Sequence, residues 1–167
     1  AVIAAWQAAA RVFESLGVVI AKPHATDLRV HRDGNWLFGG TGIEKVLPPV
    51  ALTVAFPLMD FDAEVGRTAF IPRSQREFEI LKDPDLFVSA DQPAGSCCLW
   101  DFRMVHRAEQ NRSGRVRAMI YATVCRPFFI DYENFRKGNS KVVASRASLE
   151  RLDKKDRKRL VRAELID

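Results

Sequence analysis

Residues 115–126 constrain the fold more than any other stretch of the chain. Arg115, Arg117, Met119, Tyr121, Thr123 and Cys125 occupy one set of alternating positions, and Val116, Ala118, Ile120, Ala122 and Val124 the other. Successive side chains of a strand point to opposite faces. One face is therefore purely apolar, and the other is mixed and carries a guanidinium. The alternation predicts a strand whose apolar face lies in the core and whose Arg117 face looks into a cavity.

Other apolar runs read the same way. Residues 50–58 are β-branched and apolar and predict a central strand, with shorter strands over 28–33, 68–72, 97–100 and 104–107. Residues 34–42 form a glycine-rich loop, and 111–114 a turn by composition. Residues 75–83 suggest a helical turn, and 84–95 an irregular connection. Many short strands separated by turn signals indicate a β-sandwich or jelly roll. A helix is expected over residues 2–16, ended by Gly17 and followed by a short strand over 18–21. Beyond about residue 145 the pattern turns helical again, with Leu149, Leu152, Leu160 and Val161 as its apolar positions. At 167 residues the chain suits a single domain, 1–167, with its core over about 18–130.

The chemistry-bearing residues fall in two short motifs. His31-Arg32-Asp33 places an imidazole and a carboxylate on one face of an extended segment. His106 comes later, followed by Asn111, Ser113 and Arg117. Two imidazoles and one carboxylate on one face of a metal form the facial triad of non-haem Fe(II) oxygenases. Arg117, on the next strand, is placed to grip a carboxylate bidentately. Alternatively, it is a structural cation neutralising Asp101 or Glu109. Trp36 and Phe38, just past the first motif, are candidates for the substrate pocket. Phe56, Phe70, Trp100, Phe128 and Phe129 read as core, and His24 as a loop residue.

His-Arg-Asp also opens the catalytic loop of protein kinases. That class is excluded, because Phe38 stands where a kinase needs its Asn and no glycine-rich nucleotide loop precedes the motif. Charge excludes less. Residues 136–162 hold 11 Lys or Arg against 3 Asp or Glu. With almost no aromatic interleaving, this basic C-terminal segment (about 136–167) reads as a solvated helical face, and no nucleic-acid partner is expected. Cys97, Cys98 and Cys125 form no CxxC pair, which fits a reduced, cytoplasmic setting. The Ala-rich opening lacks a basic start and reads as an amphipathic helix, not a signal peptide. No apolar run approaches the roughly 20 residues needed to span a bilayer.

Taken with Gly66-Arg67-Thr68-Ala69-Phe70-Ile71-Pro72-Arg73-Ser74-Gln75 and Arg126-Pro127-Phe128-Phe129, the motifs resemble the phytanoyl-CoA dioxygenase (PhyH) family of Fe(II)/2-oxoglutarate oxygenases. The resemblance covers about residues 28–130. It implies a mainly β, double-stranded β-helix fold (a cupin-like jelly roll) with flanking helices at both termini. It makes His31, Asp33 and His106 the iron ligands, and it makes Arg117 the partner of the far carboxylate of 2-oxoglutarate with Thr68 beside it. The implied reaction consumes O2 and 2-oxoglutarate, releases succinate and CO2, and hydroxylates or otherwise oxidises a small-molecule substrate. Asp33 fills the position that halogenating relatives leave open, so oxidation is expected over halogenation. Two rivals share these residues: a cupin-like metal enzyme without 2-oxo acid chemistry, and an inactive binding module. Substrate identity and oligomeric state are left open.

Overall fold

The computed structural model describes residues 11–26, 29–132 and 142–166. Eight strands dominate them: β1 (Val12–Ala21), β2 (Ala51–Pro57), β3 (Thr68–Phe70), β4 (Cys98–Asp101), β5 (His106–Ala108), β6 (Arg117–Cys125), β7 (Val143–Ser145) and β8 (Glu164–Ile166). Two short helices, α1 (Arg146–Glu150) and α2 (Lys154–Arg157), lie between the last two strands.

The larger sheet has the order β1-β6-β2-β4 and is antiparallel throughout. Its register settles which side chains share a face. Thr123 lies between Ser15 and Thr53, Tyr121 between Gly17 and Ala55, and Met119 between Val19 and Pro57. This inner face looks towards a smaller sheet, β3 paired with β5, and a cavity of about 930 Å³ lies between the two. Val12, Ala51, Phe102, Cys125 and Phe129 form a buried cluster, and Phe102 also lines the cavity.

The first helix expectation is overturned where the structure describes it. Residues 1–10 lie outside the described residues, and 12–16 are extended within β1. The physical reason is pairing. The strand of 12–21 meets nine partners along β6, with one bulge between Phe13 and Ser15 and a β-branched run over Val18–Ile20. Gly17 therefore ends no helix. It sits mid-strand over the Tyr121 ring, where a Cβ would lie 2.8 Å from Tyr121 Cε1.

Two further expectations are corrected. The C-terminal segment is not one helix. Ser145 and Asp153 cap two separate short ones, and β8 then pairs in parallel with β7; residues 136–141 lie outside the described residues. Nor does the apolar face of β6 lie in the core. Ala122 is buried, but the face continues across Leu16, Val18, Ile20, Phe56 and Leu99, which stay 38–63% exposed among the described residues. The cavity, not this face, is the interior of the sheet pair. Phe128 is also exposed (72%), whereas its neighbour Phe129 enters the core. No described helix is long and apolar enough to cross a membrane.

Candidate metal centre

Each half of the candidate centre is carried by backbone pairing. His31 and His106 form an isolated antiparallel bridge, in which each N–H donates to the other's carbonyl at 3.0 and 2.9 Å. Directly paired residues of an antiparallel bridge put their side chains on the same face. The two imidazoles consequently meet, with ring centroids 4.4 Å apart. Asp33, two residues on, shares that face. Its Oδ1 lies 3.8 Å from His31 Nε2 and 3.5 Å from His106 Nε2. One donor atom from each of the three falls within 4.8 Å of the other two.

The surroundings orient every donor. His31 Nδ1 contacts the carbonyl of Arg29 at 2.8 Å, and His106 Nδ1 that of Met104 at 3.0 Å. A carbonyl can only accept, so each Nδ1 donates, and Nε2 is the ring nitrogen left to face a metal. Asp33 Oδ2 accepts from Thr53 Oγ1 at 2.6 Å and from Trp100 Nε1 at 3.0 Å, which leaves Oδ1 towards the imidazoles. Burial, reinforced by the neighbouring His31, holds His106 below the ordinary imidazole pKa despite the pull of Asp33. A neutral imidazole is the form that binds a metal. Two Nε2 atoms and one carboxylate oxygen would suit a divalent ion that takes mixed nitrogen and oxygen ligands.

Gly34 shows how tightly this segment is built. The Asp33 N–H donates to the Phe102 carbonyl, and a Cβ on Gly34 would lie 1.7 Å from Phe102 Cε1. Only glycine lets the chain pass Phe102 this closely while it presents Asp33.

Arg117 is 1% exposed and lines the same cavity. Its Nε donates to the Gly66 carbonyl at 2.8 Å, its Nη2 donates to Thr68 Oγ1 at 3.2 Å, and its guanidinium lies 4.1 Å from the centre of the Phe61 ring. Burial lowers its pKa to about 10, against the raising influence of Glu109, so it stays charged at neutral pH. The alternative pairing with Asp101 is ruled out, because Arg103 holds that carboxylate through both oxygens. The Thr68 hydroxyl accepts from Arg117 and keeps its own proton to donate. Asn111 and Ser113, buried and bonded to each other, tie the turn before β6 to the carbonyls of Lys22 and Arg115 and so set where Arg117 enters.

The structure thus brings together His31, Asp33, His106, Arg117 and Thr68 around one cavity. Trp36 lines it too, but Phe38 lies off it, with its ring half exposed. Trp100 and Thr53, the partners of Asp33, were not singled out in the sequence. Trp100 was read as plain core. Its position opposite Thr53 follows only from the β2–β4 register, which no local pattern encodes.

Comparison with known proteins bears on the family and the fold. The chain is 28% identical over 99 residues to the dioxygenase FUM3 of Gibberella moniliformis (strain M3125 / FGSC 7600), a match that covers 59% of this chain and 31% of that protein. Among solved structures it shares the fold of EvdMO1 (TM-score 0.58, 21% identity, 71% of this chain and 28% of that one). It also resembles AviO1 from Streptomyces viridochromogenes Tue57 (TM-score 0.57, 21% identity, 75% and 55%). A third is SnoN, a non-heme alpha ketoglutarate dependent epimerase from nogalamycin biosynthesis (TM-score 0.53, 22% identity, 71% and 48%). The chain spans about a third of the curated relative and between about a quarter and a half of these structures. The sequence profile of phytanoyl-CoA dioxygenase (PhyH) matches residues 3–119, most of this chain, and the chain belongs to that family.

Proposed function

We propose that this chain carries the catalytic centre of an Fe(II)- and 2-oxoglutarate-dependent dioxygenase that oxidises a small organic molecule and releases succinate and CO2. Its two facing sheets are, in this reading, the double-stranded β-helix of such enzymes, and residues 1–167 one domain of that kind. The observation that carries the proposal is the convergence on one cavity of two aligned Nε2 atoms, one carboxylate oxygen and a buried guanidinium. That SnoN is an alpha ketoglutarate dependent enzyme and FUM3 a dioxygenase supports the same reading.

His31, Asp33 and His106 would hold the iron. When bound, Fe(II) supplies O2 activation coupled to the oxidative decarboxylation of 2-oxoglutarate. The chain's own residues do the rest. Arg117 and the Thr68 hydroxyl bind the far carboxylate of 2-oxoglutarate, and the Phe61 face beneath the guanidinium excludes water from that pair. Thr53 and Trp100 hold Asp33 in one orientation, so a single oxygen is offered to the ion. Trp36 and the cavity wall place the substrate beside the centre.

Anaerobic titration of the protein with Fe(II) and then 2-oxoglutarate tests the proposal through the weak visible charge-transfer band of the chelate. The band should form. In Arg117→Ala it should require about tenfold or more 2-oxoglutarate, because a bound carboxylate loses its charged partner. Iron binding with no band would point to a cupin-like metal enzyme without 2-oxo acid chemistry. Absence of metal binding would sink the reading.

A further inference from the structure

The residue between the two ligands of the first motif has more hydrogen-bond partners than either. Arg32 Nε donates to the Arg103 carbonyl at 2.9 Å, Nη1 to Phe78 at 3.3 Å, and Nη2 to the carbonyls of Ser74, Glu77 and Glu79. Four of these five acceptors fall within residues 74–79. Past its opening 3₁₀ turn, Ser74–Arg76, that segment has no regular structure. Among the described residues no backbone N–H reaches the carbonyls of Glu77, Phe78 or Glu79. These residues are exposed, so it is the one side chain, not burial, that gathers their carbonyls.

The same guanidinium lies 5.0 Å from the centre of the Trp36 ring. Trp36 in turn meets Phe78 edge-on at 5.3 Å, and the Lys45 ammonium lies 4.6 Å from the centre of the Phe78 ring. Two loop segments, 34–45 and 74–82, each with one short 3₁₀ turn, are thereby joined through Arg32. Both contribute to the cavity, the first through Trp36 and the second through Ile80 and Lys82. The metal ligands take their own support elsewhere, from the carbonyls of Arg29 and Met104 and from Thr53 and Trp100.

We propose that Arg32 is a positioning residue that fastens the substrate-side wall of the cavity to the ligand segment, fixing Trp36, Ile80 and Lys82 relative to the metal centre. The guanidinium suits this task. Its five N–H groups in a rigid plane can serve several carbonyls at once, which an ammonium cannot do without reorienting. The proposal rests on the dioxygenase reading only in taking this cavity as the substrate site.

The test uses the full chain with Arg32→Ala and Arg32→Lys. Site-resolved limited trypsinolysis follows cleavage after Arg76 and Lys82. Fluorotryptophan NMR follows Trp36 and Trp100, and Mn(II) titration follows the centre. In Arg32→Ala, cleavage at those two sites should quicken about tenfold or more as the segment opens locally. The Trp36 resonance should move while the Trp100 resonance and Mn(II) affinity stay put. Added ethylguanidinium should restore protection, and Arg32→Lys should fall between wild type and Ala. If Arg32→Ala does not fold, Arg32→Lys alone decides, through faster cleavage with an unmoved Trp100. Unchanged cleavage would overturn the proposal. So would a Trp100 shift or a Mn(II) loss as large as the change at Trp36, since Arg32 would then serve the ligands and not the wall. Absence of the iron chelate band in wild type would instead sink the dioxygenase reading and leave the proteolysis result standing.

Discussion

At Gly34, one missing methyl group lets the chain pass Phe102 while it presents Asp33. The Asp33 carboxylate is aimed by Thr53 and Trp100, but its backbone is placed by the bond to the Phe102 carbonyl and by contact with the Phe102 ring. Phe102 is 3% exposed and packed in the core cluster, so it has nowhere to retreat. Gly34→Ala should therefore cost about 1–3 kcal/mol of stability by overpacking, and the displaced Asp33 should lower Mn(II) affinity about tenfold or more. Urea unfolding and metal titration check the two effects separately. An Ala variant that binds Mn(II) as wild type does would show that the carboxylate can be aimed without this backbone contact. The glycine-rich loop was visible in the sequence. That its first glycine lies under an aromatic ring 68 residues away was not, because the clash exists only once β4 has run along β2.

Among the elements, β1 shows how a basic tail can act within the fold. Glu14 sits at the bulge of β1 and is 2% exposed, and Arg162 pairs with its carboxylate while also donating to the carbonyls of Phe129 and Pro127. The Asp131 N–H donates to the same carboxylate at 2.9 Å. At least one member of the basic C-terminal segment is thus a clamp on the sheet. Arg162→Ala removes one cation from a buried carboxylate. Breaking a fully buried pair costs about 3–5 kcal/mol. Because the Arg162 side chain is 24% exposed, solvent screening should reduce the loss to about 2 kcal/mol. Chemical denaturation measures it, and a loss within error of zero would mean that the remaining contacts of the carboxylate suffice. The charge count suggested a solvated face because a formal charge says nothing about which carboxylate the fold brings alongside it.

For the whole molecule, the candidate centre joins distant parts of the chain. His31 and Asp33 come from the segment after β1, and His106 from β5. An ion bound by all three exists only in the folded state, so it should stabilise the protein by mass action. At about 100 times its dissociation constant, Mn(II) should add about 2.7 kcal/mol, which for a chain of this size raises Tm by roughly 5–10 °C. A chelator should reverse the shift, and His31→Ala or His106→Ala should abolish it. A Tm indifferent to metal in wild type would argue against a closed three-ligand site.

The sequence by itself determined the order of most strands, the polarity of the two faces of β6, and the residue types of the centre. Those are properties of spacing: a strand alternates, and His-x-Asp sets two ligands two residues apart, although the structure makes a single bridge at His31 and a bend at Asp33 where a strand over 28–33 was expected. It also carried enough of the family's motifs to imply Arg117 and Thr68. Tertiary structure alone decided the rest. It turned residues 12–16 into strand because β6 offered nine pairing partners, where local periodicity had favoured a helix. It made the His31–His106 bridge, chose Trp100 and Thr53 to hold Asp33, and gave Arg32 its five carbonyls. Each of these contacts joins residues 20 or more positions apart, and contacts at that separation depend on strand register and packing, which no short window of sequence contains.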